Sequence, residues 1–117
     1  VVTALDGRAQ HVELKSVDAW LVAPATYGTL AKAACGIADN AVTTSLASAI
    51  GLMEQGRTAV LFVPTMHDSM LNSIARENLA RLANLGCHIV KPRCEQGKAL
   101  LPDDDALIEA VVAAIAA

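Results

Sequence analysis

Two histidines, a hydroxyl-bearing turn and a lysine near the C-terminal end carry most of the chemistry this chain's side chains could perform. His11 opens His11-Val12-Glu13-Leu14; an imidazole titrating near about 6.5 can take a proton from a weak acid such as a thiol. The plainer role is a helix-start histidine bonded to a carbonyl. His67 stands inside Pro64-Thr65-Met66-His67-Asp68-Ser69-Met70-Leu71. There it could grip a carboxylate with help from a helix dipole, or cap that helix together with Asp68. Pro24-Ala25-Thr26-Tyr27-Gly28-Thr29 sets two hydroxyls and a glycine before a helical run. Such a turn lets the backbone approach an anion, and the helix behind it presents unpaired N–H groups. Lys98 could neutralise a phosphate or carboxylate, donate a proton, or stay a solvated loop lysine. Met66 and Met70 are spaced to face one side, as substrate contacts or as core filling. Cys94 is a thiol in the same tail.

The elements that must position these groups follow from apolar periodicity. Three short runs read as buried parallel strands: Ala19 to Ala23, Thr58 to Val63 and His88 to Lys91, each ending at or near Pro24, Pro64 or Pro92. Helical patterns lie between them: Thr29 to Ala34, then Ala41 to Glu54 behind Asn40 as N-cap. A long helix is expected from His67 or Asp68 through Asn84, closed by Gly86. A last helix starts near the solvated acids Asp103-Asp104-Asp105 and is expected to bury Leu107, Ile108, Val111, Val112 and Ile115. Strands alternating with helices of this length predict a single α/β domain over residues 1–117, a doubly wound parallel sheet of Rossmann-like, three-layer kind. Its ligand crevice would lie at the C-terminal strand ends, where Pro24 to Thr29 falls. Residues 1–10 form no complete βα unit, and three strands are few for a sheet covered on both faces. N-terminal βα units are therefore expected to be missing, or to come from a partner chain.

Composition narrows the function classes. The chain is 54% hydrophobic and 18% charged, below the roughly 25% charged of average soluble proteins, which favours a homo-oligomer. A net charge of −3 and the lack of a basic stripe argue against nucleic acid. No apolar run reaches the roughly 20 residues needed to cross a bilayer, and the opening residues are unlike a signal peptide. The three cysteines form no disulfide framework, so a cytoplasmic protein is expected. His11-Val12-Glu13 with Pro92-Arg93-Cys94 has too few ligands for a zinc site, and no metal is expected.

Three of these segments, in this order, resemble signatures of the flavin-dependent cysteine decarboxylases, the family that includes phosphopantothenoylcysteine decarboxylases and lantibiotic-processing enzymes. His11-Val12-Glu13-Leu14 is similar to the segment opened by the family's catalytic histidine. Pro24-Ala25-Thr26-Tyr27-Gly28-Thr29 is similar to P-A-S-A-N-T, and Pro64 to Leu71 to P-x-M-N-x-x-M-W. Pro92-Arg93-Cys94-Glu95-Gln96-Gly97-Lys98-Ala99-Leu100-Leu101-Pro102 is similar to a P-R-x-x-E-G-K-A-K-x-P tail of archaeal-type members. Thr26 keeps the family hydroxyl and Thr29 is unchanged, whereas Gly28 replaces an asparagine and His67 stands where asparagine is usual. The family's glycine-rich N-terminal strand–turn–helix and its A-C-G-D cysteine are absent.

The resemblance implies a flavodoxin-like fold, FMN as cofactor, and decarboxylation of a cysteine carboxylate, with 4′-phosphopantothenoylcysteine of coenzyme A biosynthesis as substrate. It implies His11 and His67 as catalytic residues and Pro24, Ala25, Thr26, Gly28 and Thr29 as FMN contacts. Met66, Met70 and Lys98 would then meet a small-molecule thiol and carboxylate substrate. It also implies a homotrimer with FMN held where subunits meet. The alternative is a flavin-binding or assembly subunit without turnover of its own.

Overall fold

The computed structural model describes residues 17–116. Its centre is a parallel three-stranded sheet in the order β1-β2-β3, with β1 at Ala19–Ala25, β2 at Ala59–Pro64 and β3 at His88–Ile89. Ala19 pairs with Ala59 and Val22 with Phe62, while Leu61 and Phe62 pair with His88 and Ile89. Helices α1 (Tyr27–Cys35) and α2 (Ala41–Glu54) connect β1 to β2, and α3 (Ser73–Leu85) connects β2 to β3. Because both crossovers step the same way across the sheet, right-handedness places all three helices on one face. There Leu30, Leu46, Ala49 and Leu82 close over Val60 and Phe62 from β2, with Trp20 and Val22 of β1 packed against them. Leu61 and Val63 are equally buried but alternate to the other face. On that face α4 (Asp104–Ala116) runs against β1 and β2.

The helix ends are well specified. Asn40 and Thr43 form a reciprocal capping box at the start of α2. Gly86 closes α3 at φ +117°, a left-handed position a side chain would resist. Arg81 of α3 donates from Nε to the Ala34 carbonyl at 2.7 Å, tying α3 to the last turn of α1 and satisfying a carbonyl there.

Several expectations need correction. β1 does not stop at Ala23 but runs through Pro24 to Ala25, with a register shift between Val22 and Ala25. Among the described residues β1 has a neighbour on one side only, and a strand edge tolerates a residue without an N–H. The first helix starts two residues earlier than Thr29, because Thr26 is its cap. The single long helix from His67 is broken: a 3-10 turn spans Asp68–Met70, and α3 begins anew behind the Asn72 cap. Asn72 accepts from the Ala75 N–H at 2.9 Å, a local bond that competes with continuing the helix. The third strand shortens to two residues, and Arg93–Glu95 and Lys98–Leu100 form a hairpin, β4–β5, that periodicity did not reveal. Finally, α4 does not bury Ile108, Val112 and Ile115; they are 60%, 59% and 49% exposed.

Candidate functional site

Two structures meet at the C-terminal end of the sheet. The first is the turn from β1 into α1. Thr26 caps the helix: its Oγ1 accepts from the Thr29 N–H at 3.3 Å and donates to Thr29 Oγ1 at 3.1 Å. This leaves the N–H groups of Tyr27 and Gly28, first in the helix, without an intrahelical acceptor. A Cβ added at Gly28 would meet nothing within 4 Å, so the space beside that backbone is open. The turn is joined to β2 through the Thr65 N–H, which donates to the Ala25 carbonyl at 3.1 Å. Pro24, Ala25, Thr26, Gly28 and Thr29 thus lie together beside the end of β2. Lys32 and Asp39 pair at 2.9 Å across the α1–α2 connection. That hydrogen bond, helped by the lysine's charge, holds the Asp39 carboxyl below its ordinary value.

The second is the segment after β2, with the β4–β5 hairpin folded onto it. The Asp68 N–H donates to the Gly97 carbonyl at 2.8 Å and the Ala99 N–H to the Met66 carbonyl at 2.9 Å. His67 and Lys98 form an isolated antiparallel bridge between these bonds. Beneath the hairpin lies a slot of about 160 Å³ lined by Pro64, Met66, Leu71, Pro92 and Ala99, with Asp68, Cys94 and Lys98 as its polar members. The hairpin turns through Gln96 and Gly97, both at positive φ. Gly97 is also constrained by closeness, since a Cβ there would stand 3.1 Å from Asp68 Oδ2. Arg93 and Glu95 pair on the outer side of the hairpin.

His67 is held by its own neighbours. The Ser69 N–H donates to His67 Nδ1 at 3.2 Å, and Ser69 Oγ lies 3.0 Å from the same nitrogen. Asp68 Oδ1 is also 3.0 Å from Nδ1. In the neutral ring Nδ1 accepts from Ser69, so the proton sits on Nε2; in the protonated ring Nδ1 donates to Asp68 instead. Nε2 therefore carries a hydrogen in both states, and His67 offers a donor that suits a carboxylate. The capping and carboxylate roles of His67 turn out to be compatible, because they use different ring nitrogens.

The structure thus brings Met66 and Lys98 together around one slot, and the backbone of His67 bridges to Lys98 at its edge without His67 lining it. Met70 does not join them: it is 44% exposed and does not line the slot, since the helix break ends the i, i+4 alignment with Met66. His11 lies outside the described residues. Cys94 and Asp68 line the slot although the chemistry of single motifs gave little reason to place them there. The available signal was the Gln96-Gly97 turn flanked by three-residue arms. Cys87, by contrast, sits in the helical core, where burial and then Glu54 push its thiol up to about 11, leaving it protonated and inert. Among the described residues no group of three metal-ligating side chains forms, and no helix is long and apolar enough to cross a membrane.

Comparison with known proteins adds an independent line. The family model described as Flavoprotein matches residues 2–116. The coenzyme A biosynthesis bifunctional protein CoaBC of Thermococcus kodakarensis is 36% identical over 118 residues, covering 96% of this chain and 28% of that protein. The probable phosphopantothenoylcysteine decarboxylase of Streptococcus mutans is 35% identical over 109 residues, covering 86% of this chain and 58% of that one. Among solved structures, the FMN-dependent cysteine decarboxylase SpaF superposes with a TM-score of 0.74 at 29% identity, over 98% of this chain and 62% of SpaF. The chain therefore spans less than two thirds of the length of each of these relatives.

Proposed function

This chain belongs to the Flavoprotein family, and from that premise we propose that it is part of an FMN-dependent decarboxylase acting on the cysteine carboxylate of 4′-phosphopantothenoylcysteine. One observation carries the reading. The cap turn of α1 and the hairpin-covered slot lined by Lys98, to which His67 is bridged, lie at the same end of one parallel sheet, where α/β folds bind ligands.

The turn fits a flavin nucleotide on structural grounds, through N–H groups at Tyr27 and Gly28 that the helix itself does not bond, paired hydroxyls at Thr26 and Thr29, and open space beside Gly28. Pro24, Ala25, Thr26, Gly28 and Thr29 would hold it. FMN, when bound, supplies the two-electron oxidation that turns the neighbouring carboxylate into a leaving group. The remaining work falls to side chains of this chain. His11 takes the substrate thiol's proton. His67 donates from Nε2 to the carboxylate and fixes its orientation. Met66, Pro64, Leu71 and Ala99 give the slot apolar walls that exclude water from the cysteine side chain, and Lys98 balances the charge of the substrate's phosphate or carboxylate. Met70, exposed beside Leu71 and Ile74, belongs to the apolar surface that a neighbouring copy would cover in a cytoplasmic homotrimer.

The test is FMN uptake, read as a yellow chromophore, together with carbon dioxide release from 4′-phosphopantothenoylcysteine by wild type and His11→Ala. Bound flavin and a loss of about 10²–10⁴-fold in release on His11→Ala are expected. Flavin bound without His11-dependent release would replace the enzyme with the non-catalytic flavin-binding subunit, and failure to take up FMN would reject both.

A further inference from the structure

His67 and Lys98 are neighbours of a particular kind. The bonds that flank their bridge run from the Asp68 N–H to the Gly97 carbonyl and from the Ala99 N–H to the Met66 carbonyl, so the two residues exchange no bond with each other. That pattern marks the non-hydrogen-bonded position of an antiparallel ladder, where facing Cα atoms stand about 4.5 Å apart and both side chains leave the same face. Glu95 is opposite Lys98 in the β4–β5 ladder and belongs to that face too. Met66, Ala99 and Cys94 alternate with these residues and line the slot. This ribbon therefore has an apolar side turned to the slot and a charged side carrying His67, Lys98 and Glu95. Lys98 also reaches the rim of the slot.

The charged side is not internally matched. Arg93 pairs with Glu95, and Asp68 Oδ1 lies 3.0 Å from His67 Nδ1. Among the described residues Lys98 forms no ion pair, and His67 bonds only through Nδ1. Lys98 Nζ and His67 Nε2 are thus two donors on one face with no acceptor of their own among those residues.

We propose that Lys98 and His67 together hold the substrate's carboxylate, one oxygen each, so that Lys98 recognises the group that leaves and not the phosphate. The assignment rests on the decarboxylase reading above. A carboxylate has two oxygens and can accept from two separate donors. Charge points the same way. Arg93 and Glu95 offset each other, Lys98 offsets Asp68, and a protonated His67 leaves one positive charge. That balances a carboxylate but falls short of a phosphate monoester, which carries about −1.5 to −2 at neutral pH. Holding the anion at the rim also keeps it out of the apolar slot, where an unpaired carboxylate would be costly. Loss of carbon dioxide removes the very group both donors hold, so the product should leave more readily than the substrate.

The experiment titrates the FMN-loaded, full-length protein calorimetrically with three probes. 4′-Phosphopantothenoylserine keeps the carboxylate and the phosphate but carries a hydroxyl in place of the thiol. Pantothenoylserine lacks the phosphate as well, and 4′-phosphopantetheine lacks the carboxylate. Lys98→Met should weaken both serine compounds about tenfold or more, the worth of one hydrogen bond to a charged group, and leave 4′-phosphopantetheine within about twofold. The unchanged probe also shows that the variant is folded. Lys98→Arg should recover affinity to within about threefold, because a guanidinium also donates to a carboxylate. With His67→Ala in the same chain, the two losses should combine to less than their product, since both donors act on one group. A loss with 4′-phosphopantetheine as large as with 4′-phosphopantothenoylserine would overturn the proposal, as would no change with any probe. Strictly multiplicative losses would also overturn it, by placing the two residues on separate groups. Wild-type protein that binds none of the three overturns the decarboxylase reading itself, an outcome distinct from failure of the Lys98 assignment.

Discussion

The two faces of the sheet are built from the same kinds of aliphatic residue and end in opposite states. On the α1–α3 face, Leu30, Leu46, Phe62 and Leu82 are at most 2% exposed, and the helix ends are tied by caps and by Arg81. On the α4 face, Leu61 and Val63 are covered, but the outer side of the helix leaves three aliphatics in the open. Local composition does not account for this, since α4 is among the most apolar helices of the chain. What differs, among the described residues, is the number of neighbours: three helices share one face, whereas a single helix lies on the other. Burial is a property of the layer and not of the residue.

The contrast can be broken or sharpened by substitution. The largest effect is expected at the centre of the closed face, where Phe62→Ala should destabilise the 117-residue chain by about 3–5 kcal/mol in urea unfolding. A cost as small as that of a surface residue would mean this core is not tightly packed. Next comes the α2 cap: Asn40→Ala removes the acceptor for the Thr43 N–H and should cost about 1 kcal/mol, measurable as a lower denaturation midpoint. The smallest stability change belongs to the open face. Val112→Ala should stay within about 0.5 kcal/mol in the 117-residue chain, and a core-sized loss would show that the stripe is already covered.

A fourth, milder effect concerns pH. Asp39 is held below its ordinary value in the folded state, so its pairing with Lys32 stabilises the α1–α2 connection above the ordinary carboxylate range. That contribution fades as pH falls through the lowered value. Both groups are well exposed, so the change should be slight and salt-sensitive. An acid titration of wild type against Lys32→Met should show a small difference at neutral pH that vanishes in acid. A difference that persists in acid would exclude the ion pair as its cause.

Much of the frame was legible in the chain. The three apolar runs ending near Pro24, Pro64 and Pro92 became β1, β2 and β3, Asn40 capped its helix through its side chain, and Gly86 ended its helix in the left-handed backbone conformation glycine allows. The site was legible in part. Thr26, Thr29, His67 and Lys98 stand out by type and spacing, yet nothing local says that Lys98 bridges to His67, because that pairing depends on a hairpin folding back across more than thirty residues. The break between Met70 and Ser73 was hidden for a related reason. Apolar periodicity continues across it, while the Asn72 cap and the Gly97 contact at Asp68 favour two short elements over one long helix.

The sequence by itself determined the alternation of strands and helices, the caps, and which residue types could meet an anion or a thiol, since these depend on side-chain shape and neighbours a few positions away. Tertiary structure alone decided that Lys98 is bridged to His67, that the hairpin closes over Met66, and that α4 keeps Ile108, Val112 and Ile115 in the open. Those outcomes depend on contacts between distant segments and on how many layers are present, and a local pattern records neither.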